Sequence, residues 1–265
     1  MKIATWNINS LNVRLPQVLE WLAAQAAAGA PVDVLALQEL KLTDDKFPFD
    51  AFGQAGYQAA VFGQKTYNGV ALLTRAPRVP NEVVRNIPGF ADEMARVITA
   101  TVEAPNGPLR VVGAYFPNGQ EPGSDKFAYK LRWLDALRDW LREELQRHPH
   151  LVLMGDFNIT FDDRDVWDPV GLAGTIHCTE EERAKLAALT ALGLVDAFRL
   201  FEQPAKTYSW WDYRQLAFPK NRGLRIDHVL VSEPLRGLVA ACSIDRNPRK
   251  NKQPSDHAPV VLTLR

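Results

Sequence analysis

Eight side chains able to do chemistry stand at the ends of apolar runs in this sequence. Asn7 closes KIATWN, Glu39 follows VLALQ, and Tyr115 closes LRVVGAY. Asp156 and Asn158 close LVLMGDFN, Asp227 lies within LRIDHVLV, and Asp256 and His257 precede APVVLTL. Taken singly, each reads as a turn acid, a cap or a satisfied core polar group. An isolated GDxN is most simply an Asx turn that ends a strand. Together they are four carboxylates, two amides, a phenol and an imidazole, each attached to a buried apolar segment. Burying that many acids without a compensating role is costly. Two carboxylates about 4 Å apart repel by about 4 kcal/mol even at an effective dielectric near 20. A hard divalent cation relieves that repulsion. Oxygen donors, without cysteine or a histidine cluster, favour Mg²⁺, with Mn²⁺ able to substitute, over zinc. Such a cation beside a histidine and a tyrosine points to hydrolysis of phosphate esters.

The elements that must carry these groups are legible from periodicity and punctuation. Strands are expected at Lys2–Asn7, Val32–Leu37, Gln58–Gly63, Gly69–Thr74, Arg96–Glu103, Leu109–Tyr115, Leu151–Asp156, Leu224–Val231 and Pro259–Leu264. If strand geometry persists through Asn158, Asp156 and Asn158 point to one face. Helices are expected at Leu11–Ala28, at Asp125–Arg147 with His148-Pro149 as the stop, and from the capping box Thr179-Glu180-Glu181-Glu182 to about Leu192. Many strands, few helices and no steady βαβ alternation favour two packed sheets flanked by helices over a doubly wound parallel sheet. Nothing divides residues 1–265, so a single domain is expected.

Composition excludes several classes. The 265 residues are 46% hydrophobic and 23% charged with zero formal net charge, an ordinary globular balance. No apolar run approaches bilayer length, so no membrane role is expected, and MKIATWN lacks an apolar leader, so a cytoplasmic location is expected. Cys178 and Cys242 lie far apart and read as free thiols. Two local basic runs flank the chemical residues. Arg214, Lys220, Arg222 and Arg225 surround Trp210, Trp211 and Tyr213, and Arg246, Arg249, Lys250 and Lys252 precede Ser255-Asp256-His257. Cations interleaved with aromatics suit phosphate contact plus stacking, whereas a charge run alone is usually a solvated face.

The motifs WNxNS, LQE, NGVA, YFPNG, GDFN, SWWDYR, GLRIDHVL and SDHAP occur in that order from Lys2 to Leu264. In this the chain resembles the exonuclease III family of DNA-repair nucleases, within the endonuclease/exonuclease/phosphatase superfamily. The resemblance implies a four-layer α/β-sandwich of the deoxyribonuclease I type, two packed mixed β-sheets flanked by helices. It also implies Mg²⁺-dependent cleavage of double-stranded DNA at abasic sites and blocked 3′ ends by a monomer. Glu39 then resembles the principal metal ligand, with Asn7, Asp156, Asn158, Asp256 and His257 as further candidates around the ion. Asp156 resembles the residue that orients or deprotonates water. Asn158 and Tyr115 resemble phosphate or leaving-group contacts, and His257 paired with Asp227 resembles the phosphate-polarising imidazole. Asn118 matches a polar DNA contact and Trp211 an aromatic facing the sugar that lacks its base, while Arg214 and Arg222 are expected DNA contacts from the basic and aromatic cluster. His177 falls where the family more usually has a small residue. Its ring would crowd an abasic nucleotide within a continuous duplex and tilt activity toward 3′ ends; a capping or surface histidine is the competing reading. A phosphatase for inositol phosphates or lipid head groups would use the same centre, and a DNA-binding module with a decayed site is the non-enzymatic alternative.

Overall fold

A computed structural model describes all 265 residues. In chain order the elements are β1 (Lys2–Asn7), α1 (Leu11–Ala27), β2 (Val34–Gln38), α2 (Phe49–Gln54), β3 (Tyr57–Phe62), β4 (Val70–Arg75), β5 (Asn81–Arg85), β6 (Val97–Val102) and β7 (Leu109–Tyr115). There follow α3 (Asp125–Arg147), β8 (Leu151–Asp156), α4 (Glu180–Thr190), β9 (Leu194–Asp196), β10 (Trp210–Trp211), β11 (Gly223–Leu224), β12 (Asp227–Ser232), β13 (Val239–Ile244) and β14 (Val260–Leu264). One six-stranded sheet has the order β13-β14-β1-β2-β4-β3, the other β5-β6-β7-β8-β12-β9. Both are mixed: β1 runs parallel to β2 and β7 parallel to β8, and the other pairs are antiparallel. No helix is long and apolar enough to cross a membrane.

Three apolar interfaces account for four layers. Alternate residues of both sheets, among them Ile3, Val34, Ala36, Val111, Val152, Met154, Val229 and Val260, face each other in the central core. The opposite faces of β1, β2 and β4 (Ala4, Trp6, Leu35, Leu37, Leu73) meet Leu11, Val18, Trp21 and Leu22 of α1. The outer face of the second sheet (Val112, Ala114, Leu151, Leu153) meets Trp133, Leu137 and Leu141 of α3 and Leu186 and Leu189 of α4. Each central strand is buried on both faces, which is why these segments read as continuous apolar runs.

Local signals hold for α3 and α4. Ser124 accepts a hydrogen bond from the Phe127 backbone N–H and caps α3, and the Thr179–Glu182 capping box starts α4. The expected strand over Leu224–Val231 is instead two, β11 and β12, separated by Arg225 and Ile226. Arg225 is buried between Asp165 and Asp196 (2.7 Å each), so the chain leaves one ladder to satisfy that ion pair before joining the next. The sequence reading also missed α2, β5, β9, β10 and β13. The strand β5 is largely exposed and breaks register against β6, so it carries no apolar alternation to detect.

Candidate active site

Strand parity assembles the site. Ile3 in β1, Val34 and Ala36 in β2, Val111 in β7, Val152 and Met154 in β8, and Val229 in β12 point into the central core. Counting by twos along each strand brings the same inner face to Asn7, Gln38, Tyr115, Asp156 and Asp227. The registers align these ends: Asn7 lies opposite Gln38, Tyr115 opposite Asp156, and Asp227 opposite Asp156. The apolar core between the sheets therefore becomes polar at one end. A methyl at Gly155 (φ 154) would collide with the Ala114 carbonyl, so β8 carries glycine where it lies closest to β7.

One ligand atom each from Glu39, Asp156 and His257 lies within 4.8 Å of the other two. The Asn7 amide donates to Glu39 (2.6 Å) and to Asp156 (2.9 Å). Its Oδ1 accepts from the Asn9 backbone N–H at 3.0 Å, so Asn7 ties the two carboxylates together through its nitrogen. His257 Nδ1 lies 2.8 Å from Asp227 and Nε2 lies 3.5 Å from Asp156. Asp256 accepts from Asn9 (3.2 Å) and from Trp210 Nε1 (3.0 Å), which leaves it outside the three-residue cluster. Strand geometry does not persist to Asn158. That residue has φ 52, and its N–H bonds Asp156 Oδ1 at 2.9 Å, an Asx turn. In this turn the Asn158 amide donates to the Phe116 carbonyl (2.9 Å) and its Oδ1 accepts from Asn118 (3.4 Å), and Asn158 is outside the three-residue cluster. Sequence reasoning gave no role to Lys41, which lies 3.6 Å from Glu39 and donates to Asn9 at 2.6 Å. Its place two residues after Glu39 was the available signal. Glu39, Lys41 and His177 have positive φ, a conformation that side chains of their types rarely adopt.

The electrostatics are those of a centre short of positive charge. Burial, together with repulsion from Asp227 and Glu39, pushes Asp156 up to about 7 against the opposing pull of His257. Burial opposes charge on His257, but Asp227, Asp156 and Asp256 together outweigh it and hold the imidazole well above 6.5. Burial raises Tyr115 well above 10, with Glu39 and Asp156 adding to it, so its phenol keeps the proton it can donate. A hard divalent cation fits this oxygen-rich donor set, with Glu39 and Asp156 as the carboxylates to hold it. His257, charged and tied to Asp227, is placed to act as an acid rather than as a ligand.

The expected DNA contacts divide by face. Trp211 is fully buried, with Nε1 on Asn221 (3.0 Å) and its ring edge-on to Phe218. Trp210 is the tryptophan that faces the site, because neighbouring residues of a strand point to opposite sides. Its main chain bridges to His257 and its ring lies 6.4 Å from His177. Trp210, His177, Arg214 and Arg222 line a cavity of about 430 Å³, which Trp210 joins to the site through its bond to Asp256. Arg214 is exposed, and Arg222 stacks 5.0 Å from the Trp167 ring centre. Asn118 is exposed at the rim. Two cations of the sequence clusters serve the interior instead. Arg225 is buried in its double ion pair, and Arg249 packs against Phe218, Tyr213 and Trp211 while donating to the Ser255 carbonyl (2.9 Å).

His228 faces away, as strand alternation requires, and is fully buried between Phe157 and Phe161. Its Nε2 lies 2.7 Å from the Ile159 carbonyl and its Nδ1 has no partner, so a second proton has nowhere to go. Burial, with Arg225 repulsion added, pushes it down from 6.5 to about 4. The unfolded chain takes up this proton near 6.5 and the folded chain only near 4. The neutral ring's contribution is therefore complete above 6.5 and falls away as pH drops toward 4, by about 1.4 kcal/mol per unit and about 3 kcal/mol in all. His228→Gln keeps the donor to Ile159 and cannot titrate. Denaturant unfolding at stepped pH is expected to show a shallower loss of stability for this variant between 6.5 and 4. Parallel curves would remove His228 from the acid response.

Known proteins share this fold. Residues 4–257 match the profile of the Endonuclease/Exonuclease/phosphatase family. Exodeoxyribonuclease III of Haemophilus influenzae is 36% identical over 272 residues, covering 98% of both chains. The 3′ phosphatase NExo from Neisseria, solved with a product DNA hairpin, superimposes with a TM-score of 0.93 at 44% identity over 100% of this chain and 99% of that one. An AP endonuclease from Archaeoglobus fulgidus gives 0.90 at 32% identity, with the same coverage. The sandwich is thus of the deoxyribonuclease I type, and the chain belongs to the endonuclease/exonuclease/phosphatase family, on its exonuclease III branch.

Proposed function

We propose that this chain is a magnesium-dependent DNA-repair nuclease of the exonuclease III type, acting as a single-domain cytoplasmic monomer on double-stranded DNA. Its reactions are 3′–5′ exonucleolysis, removal of 3′ phosphates and incision at abasic sites. The observation that carries the reading is the convergence of Glu39, Asp156 and His257 at the polar end of the central core, beside an aromatic and cationic cavity. Similarity to an exodeoxyribonuclease III and to a 3′ phosphatase supplies the substrate class.

The bound cation would supply charge neutralisation at the phosphate. Asp156, buried and held by Asn7 and the Asn158 N–H, orients a water and accepts its proton. His257, kept charged by Asp227, donates to a phosphate oxygen. The Tyr115 phenol and the Asn158 amide supply further donors on the phosphate and the leaving oxygen. Trp210, Arg214 and Arg222 face the deoxyribose and the backbone.

His177 sets the balance among substrates in this proposal. The side chain is nine-tenths buried, and Nδ1 lies 2.6 Å from the Asn158 carbonyl. Its ring faces Trp210 in the cavity where a displaced sugar would enter. It therefore favours frayed 3′ ends over abasic nucleotides inside a continuous duplex. His177→Gly suits the positive φ of 72. The variant is expected to incise an internal abasic duplex at least about tenfold faster, ~1.4 kcal/mol of barrier, while 3′-phosphate removal changes little. No gain in incision removes this role. Turnover of an inositol phosphate with the DNA left intact would overturn the nuclease assignment itself.

A further inference from the structure

Lys130 and Glu182 form an ion pair of which neither side chain has any solvent exposure. They come from α3 and α4, 52 residues apart in sequence. A buried ion pair is a weak source of stability, because desolvation offsets most of the attraction. Its connections suggest another use. Lys130 Nζ also donates to the Asn158 carbonyl (2.8 Å) and the Asn118 carbonyl (3.0 Å), so its three protons have three acceptors. The Glu182 carboxylate accepts from the His177 N–H (3.2 Å), the Thr179 N–H (3.2 Å) and the Thr179 hydroxyl (2.8 Å). Three separate segments meet here: the loop after β7, the turn after β8 and the approach to α4. They carry Asn118, Asn158 and His177.

A second observation shows how closely the loop after β7 is drawn in. A Cβ at Gly119 would stand 2.9 Å from Lys130 Cδ and 3.2 Å from Ile176 Cδ1, and Gly119 has φ 86. Only glycine lets the Asn118 carbonyl reach the ammonium in this conformation.

We propose that Lys130, through its pair with Glu182, is a positioning residue. It touches no substrate, and it holds the Asn118, Asn158 and His177 segments at fixed distances from the carboxylate centre. For its choice of substrate alone, the proposal rests on the DNA-nuclease reading above. Catalytic donors displaced by about 1 Å lose about 10²-fold in rate.

Lys130→Met alone would leave Glu182 buried and unpaired, so the test variant is K130M/E182Q, in which the amide that replaces the carboxylate would still accept from Thr179. The expected result is a melting temperature within about 4 °C of the parent. The kcat for 3′-phosphate removal falls about 10²-fold, with KM within about threefold, because the lost contacts act on the reacting phosphate. Hydrogen exchange should speed at the His177 amide while the Thr179 amide, which keeps its acceptor, and the amides of β7 and β8 keep their protection. Gly119→Ala should move both readouts in the same direction. The proposal is overturned by kcat within threefold of the parent, by loss of activity that merely follows loss of folded protein, or by unchanged exchange at His177. A parent inactive on DNA would sink the nuclease reading, while the exchange comparison would still decide the positioning role.

Discussion

Asp156→Asn is expected to slow DNA hydrolysis by about 10²- to 10⁴-fold while making the metal-free protein harder to unfold. The two effects have one cause. Asp156 sits where burial and the Glu39 and Asp227 carboxylates disfavour its charge, pushing it up to about 7 from 3.8. Hydrogen bonds from Asn7 and the Asn158 N–H place this carboxylate to take a proton from water, and its charge is costly to the metal-free fold. The folded chain holds this proton up to about 7 and the unfolded chain only to 3.8. Stability from this group is therefore greatest at low pH and falls as pH rises between those values, by about 4 kcal/mol in all. An asparagine removes that loss. It also sets an NH₂ against the Asn158 N–H or the Asn7 amide, a mismatch of about 1–2 kcal/mol. The first quantity exceeds the second, so at pH 8 the variant should melt higher than the parent, with the gap closing toward pH 4. Single-turnover cleavage of a 3′-phosphate duplex and calorimetry in chelator measure the two halves. Activity within tenfold of the parent would remove Asp156 from the chemistry. A lower melting temperature at pH 8 would show that its hydrogen bonds outweigh its charge.

Withdrawing divalent metal should abolish turnover altogether, and Mg²⁺ should restore it. The same addition should stabilise the fold, because an ion held by Glu39 and Asp156 would find them at the proper spacing only in the native chain. A ligand at one hundred times its dissociation constant contributes about 2.7 kcal/mol. Melting curves with chelator and then with excess Mg²⁺ are expected to separate for the parent and to coincide for Glu39→Gln. Glu39 is partly exposed beside Lys41, and a neutral amide there loses most of the attraction for the ion. A full Mg²⁺ shift in Glu39→Gln would place the ion elsewhere.

Much of this site was legible before any coordinates. Asn7, Tyr115, Asp156 and Asp227 end strands whose apolar runs announce burial, and Glu39 and His257 adjoin such strands. The parity that turns them inward is a local property of β structure. The capping box of α4 and the start and stop of α3 were equally local. Trp211 was assigned to the substrate and lies in the interior, while its neighbour Trp210 lines the cavity. Both residues have the same type in the same two-residue strand, and only the direction of the neighbouring sheet distinguishes them. Arg225 and Arg249 read as members of basic surface clusters, yet one neutralises two buried aspartates and the other packs among aromatic rings.

By itself, then, the sequence determined which chemical groups stand at strand ends, how the strands and main helices begin and stop, and that a cation-assisted phosphate chemistry is the use these groups share. These follow from interactions within a few residues of chain. Tertiary structure alone decided which of two adjacent tryptophans faces the cleft, which arginines are interior, and that Lys130 meets Glu182 across 52 residues to bind three loops together. Those outcomes depend on the partner a side chain finds after the layers have packed, and no local periodicity encodes that partner.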